Sequence, residues 1–339
     1  MGPEVFELEE KLADYCGVKH AISCSSGTDA LLIPLMAWGV GPGDAVFTTP
    51  FTYVATAEVI SILGATPVFV DVYESTYNID CDKLEIEINK VINEGKLNPK
   101  AIIPVDLFGL PARYRLINKI AKKYNLKVIE DAAQSFGGSI RDKKVGTFGD
   151  VAATSFYPAK PLGCYGDGGA IFTDDNELAD KIDSIRLHGK GNQKYDNIRI
   201  GLNSRLDTLQ AAILIEKLKI FPEELQLRAK ISDTYSSKLE NLNYLKVPKL
   251  QDHIKSAWAQ YTLIVQNRNE IMAKLQSKDI PSVIYYPKTL DTQDGYKKFP
   301  SVSSGLDVSH HLMDSVMSLP MHPYLSEEKI EDITQVIIN

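Results

Sequence analysis

Residues 151–170 read VAATSFYPAKPLGCYGDGGA. An apolar run ends in Ser155, a single lysine follows at Lys160, and Gly163, Gly166, Gly168 and Gly169 crowd behind it. Glycine lets backbone approach a ligand or turn with positive φ. The pattern therefore suits a lysine held against a bound group, and equally a glycine-rich turn carrying a solvated lysine. A second stretch, SCSSGTDALL from Ser23 to Leu32, is a small-residue loop that opens a helix. The backbone N–H groups of Gly27, Thr28 and Asp29 would face an anion there, helped by the helix dipole. The same residues also suit a plain serine N-cap.

Two further stretches belong with these. In TTPFTYVATAEVI, Tyr53 follows a strand and opens a helix, where its ring could stack on a flat cofactor or fill the core. In VIEDAAQSFGG, Asp131 closes an apolar strand inside a covered sheet. A buried carboxylate needs a cationic partner; a protonated pyridine nitrogen would be one, and the carboxylate would keep it protonated. With Lys160 forming an imine and Ser155 binding phosphate, aldehyde, ring nitrogen, phosphate and ring face each find a partner. Pyridoxal 5'-phosphate makes those demands of a protein.

The elements that must position these residues are legible as alternating runs. Strands are expected at Ala45–Thr49, Pro67–Val70, Ala101–Val105, Lys127–Glu130, Val151–Phe156 and Ala170–Thr173, with helices at Ala30–Trp38, Val54–Leu63, Arg113–Tyr124 and Asn176–Arg186. Short apolar strands separated by helices imply βαβ units and a mostly parallel sheet covered on both faces. Ligands in such sheets sit at the carboxyl ends of the strands. Leu206–Phe221 and a charged helix over Glu223–Leu242 lead to a second pattern: a strand at Ala257–Val265, a helix near Asn269–Ser277, a strand at Ser282–Tyr286 and a closing helix at Glu327–Ile338. The expected organisation is a large cofactor domain over 1–222 and a small α+β domain over 223–339.

Composition narrows the function. The 339 residues are 44% hydrophobic, enough for a large core. A net charge of -7 argues against nucleic acid or an anionic membrane as the main partner. The four cysteines form no C-x-x-C pair, and the six histidines show no ligand spacing, so no metal is expected. Reduced thiols, the absence of an apolar span and an acidic amphipathic helix pattern directly after Met1-Gly-Pro point to the cytoplasm.

The chain resembles the DegT/DnrJ/EryC1/StrS family of sugar aminotransferases along nearly its whole length. The matching stretches run from GPEVFELEEKLADYCGVKHAISCSSGTDAL through FTYVATAEVI, PVDLFG, EDAAQSFGG, SFYPAKPLGCYGDGGAIFT and NSRLDTLQAAIL to SLPMHPYL. The resemblance implies an α/β, fold type I architecture like that of aspartate aminotransferase. It makes Lys160 the Schiff-base lysine, Asp131 the partner of the pyridinium nitrogen and Gln134 a neighbour of the cofactor's 3-hydroxyl. Tyr53 would stack on the ring, and Gly27, Thr28 and Ser155 would contact the phosphate. Asn203 would reach the phosphate of the neighbouring subunit's cofactor, which implies a homodimer with shared active sites. Arg205, Tyr285 and Tyr286 would face the substrate, Arg205 as an arginine held at a helix start. L-glutamate is the implied donor, and C3 of a UDP-2-acetamido-2-deoxy-3-oxo sugar, the glucuronic acid form, the implied acceptor. The alternative is a C4 aminotransferase acting on a dTDP- or UDP-4-keto-6-deoxy sugar. Dehydratases of the family would carry histidine in place of Lys160. Two departures stand out: relatives carry a further segment before GPEV, and Tyr285-Tyr286-Pro287 replaces a frequent His-Tyr-Pro.

Overall fold

The computed structural model describes residues 1–193 and 195–339. In chain order the strands are β1 (His20–Cys24), β2 (Asp44–Thr48), β3 (Thr66–Phe69), β4 (Asn98–Ile102), β5 (Lys127–Asp131), β6 (Ser139–Ile140), β7 (Lys143–Lys144), β8 (Val151–Ser155), β9 (Gly169–Thr173), β10 (Leu245–Lys246), β11 (Ile254–Lys255), β12 (Tyr261–Val265) and β13 (Val316–Leu319). The helices are α1 (Pro3–Cys16), α2 (Gly27–Ala37), α3 (Ala55–Ile62), α4 (Cys81–Glu94), α5 (Tyr114–Tyr124), α6 (Asn176–Arg186), α7 (Thr208–Leu239), α8 (Arg268–Gln276), α9 (Asp307–Ser315) and α10 (Glu327–Ile338).

Seven strands form one sheet in the order β1-β9-β8-β5-β4-β2-β3. The pairs among β2, β3, β4, β5 and β8 are parallel, and β9 runs antiparallel to both β8 and β1. The expectation of a mostly parallel sheet therefore holds. Both faces are covered, which is why β8 buries all five of its residues. Side chains alternate across a strand: Ile129, Val151, Ala153 and Ile171 join the core beneath α2, α3 and α6. Ala152, Ala170 and Phe172 join the core shared with α1 and α7, and Val128 the core with α4 and α5. That alternation sends Asp131 and Ser155 to the α2–α3 side.

Helix α1 shows how local sequence sets an element. Pro3 occupies the first turn, Val5, Leu8 and Leu12 form its buried stripe, and Gly17 closes it at φ 81°, a left-handed position suited to glycine. The second sheet, β10-β12-β13, packs with Ile231 and Tyr235 of α7, Leu275 of α8 and Ile333 of α10. A third sheet, β11-β6-β7, has two residues per strand.

Two expectations change here. Leu206–Phe221 and Glu223–Leu242 are one helix, α7, running through Pro222. Proline removes one intrahelical bond, but Phe221 on one side and Ile231, Tyr235 and Leu239 on the other are each buried in a core, which holds both halves in register. Ser282–Tyr286 is not a strand; only Val283 pairs, with Ser318. Ile284, Tyr285 and Tyr286 all pack on the same cluster around Phe51, so the alternation a strand requires is absent. No helix of the described residues is long and apolar enough to cross a membrane.

Candidate active site

Asp131 and Ser155 end neighbouring strands on the face covered by α2 and α3, so chain topology alone brings a carboxylate and a hydroxyl to one rim. Asp131 is buried, and each carboxylate oxygen has one partner. Thr56 donates its hydroxyl to Oδ2 at 2.8 Å, and the Ala133 N–H reaches Oδ1 at 3.3 Å. Burial raises the carboxyl above its usual range, against the pull of the Thr56 hydrogen bond, the Ala133 N–H and the nearby Lys160 charge.

Lys160 lies in the turn after β8, its own N–H bonded to the Tyr157 carbonyl at 2.8 Å. Its amine has no hydrogen-bond or ion-pair partner among the described residues. Burial lowers its pKa, and the Asp131 charge opposes that shift. An amine so placed is neutral at lower pH than an ordinary lysine, which suits it to attack a carbonyl and to accept a proton.

The opposite side is built by α2. A β-carbon on Gly27 would lie 2.6 Å from the Ser155 Cβ, so only glycine lets the helix start against the end of β8. Ser26 caps α2 by accepting the Asp29 N–H at 3.1 Å. The cap and the anion site thus divide the loop: Asp29 is consumed, a correction to the expectation that it faces an anion. The N–H groups of Gly27 and Thr28 have no partner among the described residues. Ser155 Oγ accepts from the Tyr157 N–H at 3.2 Å, leaving its own proton to donate.

A third wall comes from loops. Gln134 is buried, accepts the Phe108 N–H at 2.7 Å and donates to the Tyr286 hydroxyl at 3.0 Å. Tyr286 packs edge-on against Phe51 and against Tyr285. Burial raises its phenol, with Asp131, Tyr285 and Tyr53 close enough to add to the shift. Tyr53 is 58% exposed, two residues before α3. Beneath this wall, Asp106 accepts from the Ala112 N–H, the Tyr114 hydroxyl and the Ser135 hydroxyl at 2.8, 2.7 and 2.7 Å. Burial still pushes it up to about 7.

Residues 1–338 match the DegT/DnrJ/EryC1/StrS aminotransferase family. The chain belongs to this family. It is a pyridoxal-phosphate-dependent aminotransferase of fold type I. It is 49% identical over 342 residues to UDP-2-acetamido-2-deoxy-3-oxo-D-glucuronate aminotransferase of Pseudomonas aeruginosa, covering 100% of this chain and 91% of that protein. A DegT DnrJ EryC1 StrS aminotransferase from Brucella abortus superposes with a TM-score of 0.98 at 54% identity, covering 100% and 90%. NtdA from Bacillus subtilis, solved with bound cofactor PMP, superposes with a TM-score of 0.89 at 32% identity, covering 100% and 78%.

The donor set fits the cofactor. Asp131 retains acceptor capacity for a ring N–H, Lys160 has an unengaged amine, and the Gly27 and Thr28 N–H groups with the Ser155 hydroxyl make an anion cradle at a helix N-terminus. Of the residues expected from sequence, Gly27, Thr28, Tyr53, Asp131, Gln134, Ser155, Lys160, Tyr285 and Tyr286 converge on this rim. Asn203 and Arg205 do not join it within one chain: both are exposed, and Arg205 Nε donates to Asn203 Oδ1 at 3.0 Å. Arg205 also precedes α7 rather than starting it, since the N-cap is Asp207.

Proposed function

We propose that the enzyme moves the amino group of L-glutamate to C3 of UDP-2-acetamido-2-deoxy-3-oxo-glucuronate, releasing 2-oxoglutarate and the 3-amino sugar nucleotide for polysaccharide or O-antigen synthesis. The observation that carries this reading is the 49% identity, over the full length of this chain, to the Pseudomonas aeruginosa enzyme of that name. Within the site, Lys160 Nζ takes the α-proton of the amino donor and later returns a proton to C3 of the sugar. Asp131 holds a proton on the ring nitrogen, and Gly27, Thr28 and Ser155 hold the phosphate. Bound there, pyridoxal phosphate supplies the sink for the electron pair left when the α-proton departs. Contacts to the nucleotide, remote from the reacting carbon, supply binding energy. Half-reactions of the pyridoxamine form with a panel of keto sugar nucleotides test the assignment: the 3-oxo-glucuronate is expected to react fastest. A 4-keto-6-deoxy sugar reacting fastest would replace this reading.

The working unit in this reading is a homodimer. Ile200 and Leu209, 85% and 70% exposed, flank the segment carrying Asn203 and Arg205, an apolar surface suited to a second copy. Ser204 places that segment beside the α2 loop, its hydroxyl 3.4 Å from the Ser25 N–H. From there Asn203 would reach the partner subunit's cofactor phosphate. Sedimentation velocity of the holoenzyme at micromolar concentration is expected to show two chains per particle or a multiple of two. A fully active monomer would contradict the shared site. The four free, buried cysteines suit a reducing compartment, and the cytoplasm is the proposed location.

Arg205 is the proposed uronate reader. Among the described residues only its Nε is engaged, which leaves both terminal nitrogens for a bidentate carboxylate contact that lysine cannot reproduce. Arg205→Ala should lower kcat/KM for the uronate by roughly tenfold to a hundredfold and affect the neutral 3-oxo-N-acetylglucosamine nucleotide much less. Equal losses would place Arg205 at the dimer interface or on the nucleotide phosphates.

A further inference from the structure

Two threonines in the run FTYVAT stand closer to the chemistry than their residue type suggests. Asp131 points to α3 because it lies two residues beyond Ile129, which packs on that side. Thr56, in the first turn of α3, donates its hydroxyl to Asp131 Oδ2 at 2.8 Å. Thr52, one turn earlier, lies with its Oγ1 3.2 Å from the Thr56 Oγ1. All three side chains are buried. A hydroxyl has one proton to give. With the Thr56 proton committed to Asp131, Thr56 can only accept from Thr52. The order of donation is therefore Thr52 to Thr56 to Asp131.

We propose that Thr56, backed by Thr52, is a positioning residue that fixes the Asp131 carboxylate plane and keeps that carboxylate ionised for the cofactor's ring nitrogen. The proposal rests on the reading of Asp131 as that nitrogen's partner. The two carboxylate oxygens are unequal: Oδ2 has the short hydroxyl bond and Oδ1 only the 3.3 Å Ala133 N–H. Anchoring Oδ2 leaves Oδ1 as the oxygen with more acceptor capacity to offer the ring. Threonine suits the task because its branched Cβ restricts χ1, so the hydroxyl and the carboxylate fix one another. A hydrogen bond to the charged form favours ionisation, which opposes the effect of burial on Asp131.

Thr56→Val keeps the shape and deletes the hydroxyl; Thr56→Ser keeps the hydroxyl and frees χ1. Apo protein is titrated with pyridoxal phosphate, and the acidic limb of the kcat/KM profile is followed in the holoenzyme. Thr56→Val should bind the cofactor roughly tenfold more weakly and lose activity at higher pH than wild type, because its Asp131 takes up a proton more readily. Thr56→Ser should restore most of both. Among the described residues Lys160, Asp106, Tyr114 and Tyr286 are the other ionisable groups whose charge acts on or feels Asp131, and they are unchanged in every variant. Thermal melting of each apo protein separates misfolding from loss of the contact. Wild-type cofactor affinity and an unshifted acidic limb in Thr56→Val would overturn the proposal and leave the threonines as core filling. Asp131→Asn, titrated beside them, separates the two levels. If it too binds like wild type, the assignment of Asp131 fails; if only it is impaired, the role of Thr56 fails.

Discussion

Lys160→Ala is expected to abolish transamination while leaving the protein folded and able to hold the cofactor. Proton transfer by a positioned base contributes roughly 10²–10⁴-fold on its own, and in the proposed reading Lys160 also holds the cofactor covalently. Its properties follow from position: it lies in the turn after a fully buried strand, its amine unpaired among the described residues, with burial lowering its pKa and Asp131 as the nearby charge. In the proposed reading Asp131, Gly27, Thr28 and Ser155 remain in the variant to hold the ring nitrogen and phosphate. Rapid mixing of the variant with L-glutamate, followed by absorbance, should show no conversion to the pyridoxamine form on the wild-type timescale. Conversion at the wild-type rate would remove Lys160 from the chemistry.

Asp131→Asn carries the second large effect. An amide is nearly the same size and can still accept from Thr56, but it cannot hold a proton on the ring nitrogen. Transamination should fall by orders of magnitude with the fold intact. Asp131→Asn should also bind the cofactor more weakly, and Asp131→Ala should weaken it by about 1.5–3 kcal/mol for a charge-assisted hydrogen bond. The pH dependence has a definite sign. Burial alone raises the Asp131 pKa, so acid neutralises it sooner than an ordinary aspartate, and a cationic ring nitrogen opposes that. Wild-type cofactor affinity should therefore weaken as pH falls through the Asp131 pKa. In Asp131→Asn this position no longer titrates, and the acid-side loss should largely vanish. Equal pH profiles in the two proteins would assign the acid limb to another group.

Much of this site was legible because its parts are local to strand ends. Asp131, Ser155 and Lys160 each follow an apolar run, and a covered parallel sheet forces such positions to one rim. Gly27 was legible as a loop glycine, although the reason it must be glycine, the Ser155 Cβ, is 128 positions away and emerges only on folding. Thr56 was not legible as a site residue at all. Its partner lies 75 residues onward, and a threonine in an apolar helical run reads as filler. Asp106 in PVDLFG carries no local signal of its role; that it gathers three donors and braces the loop bearing Ser135 and Gln134 depends on tertiary packing. The same limit explains Pro222 and Ser282–Tyr286. Local rules favour a break at a proline and a strand in a β-prone run, while burial on both sides of Pro222 and same-side packing of Ile284, Tyr285 and Tyr286 decide otherwise. Helix α4 is legible from local signals alone: Asp80 caps it by accepting the Asp82 and Lys83 N–H groups and Gly95 closes it at φ 64°.

The most direct test is chemical. Holoenzyme treated with borohydride, digested and mapped by mass spectrometry should carry the reduced pyridoxyl group on Lys160 and on no other lysine. A label on Lys143, Lys144 or Lys181 instead would contradict the account, because the cofactor would then lie away from Asp131 and the Gly27–Ser155 cradle.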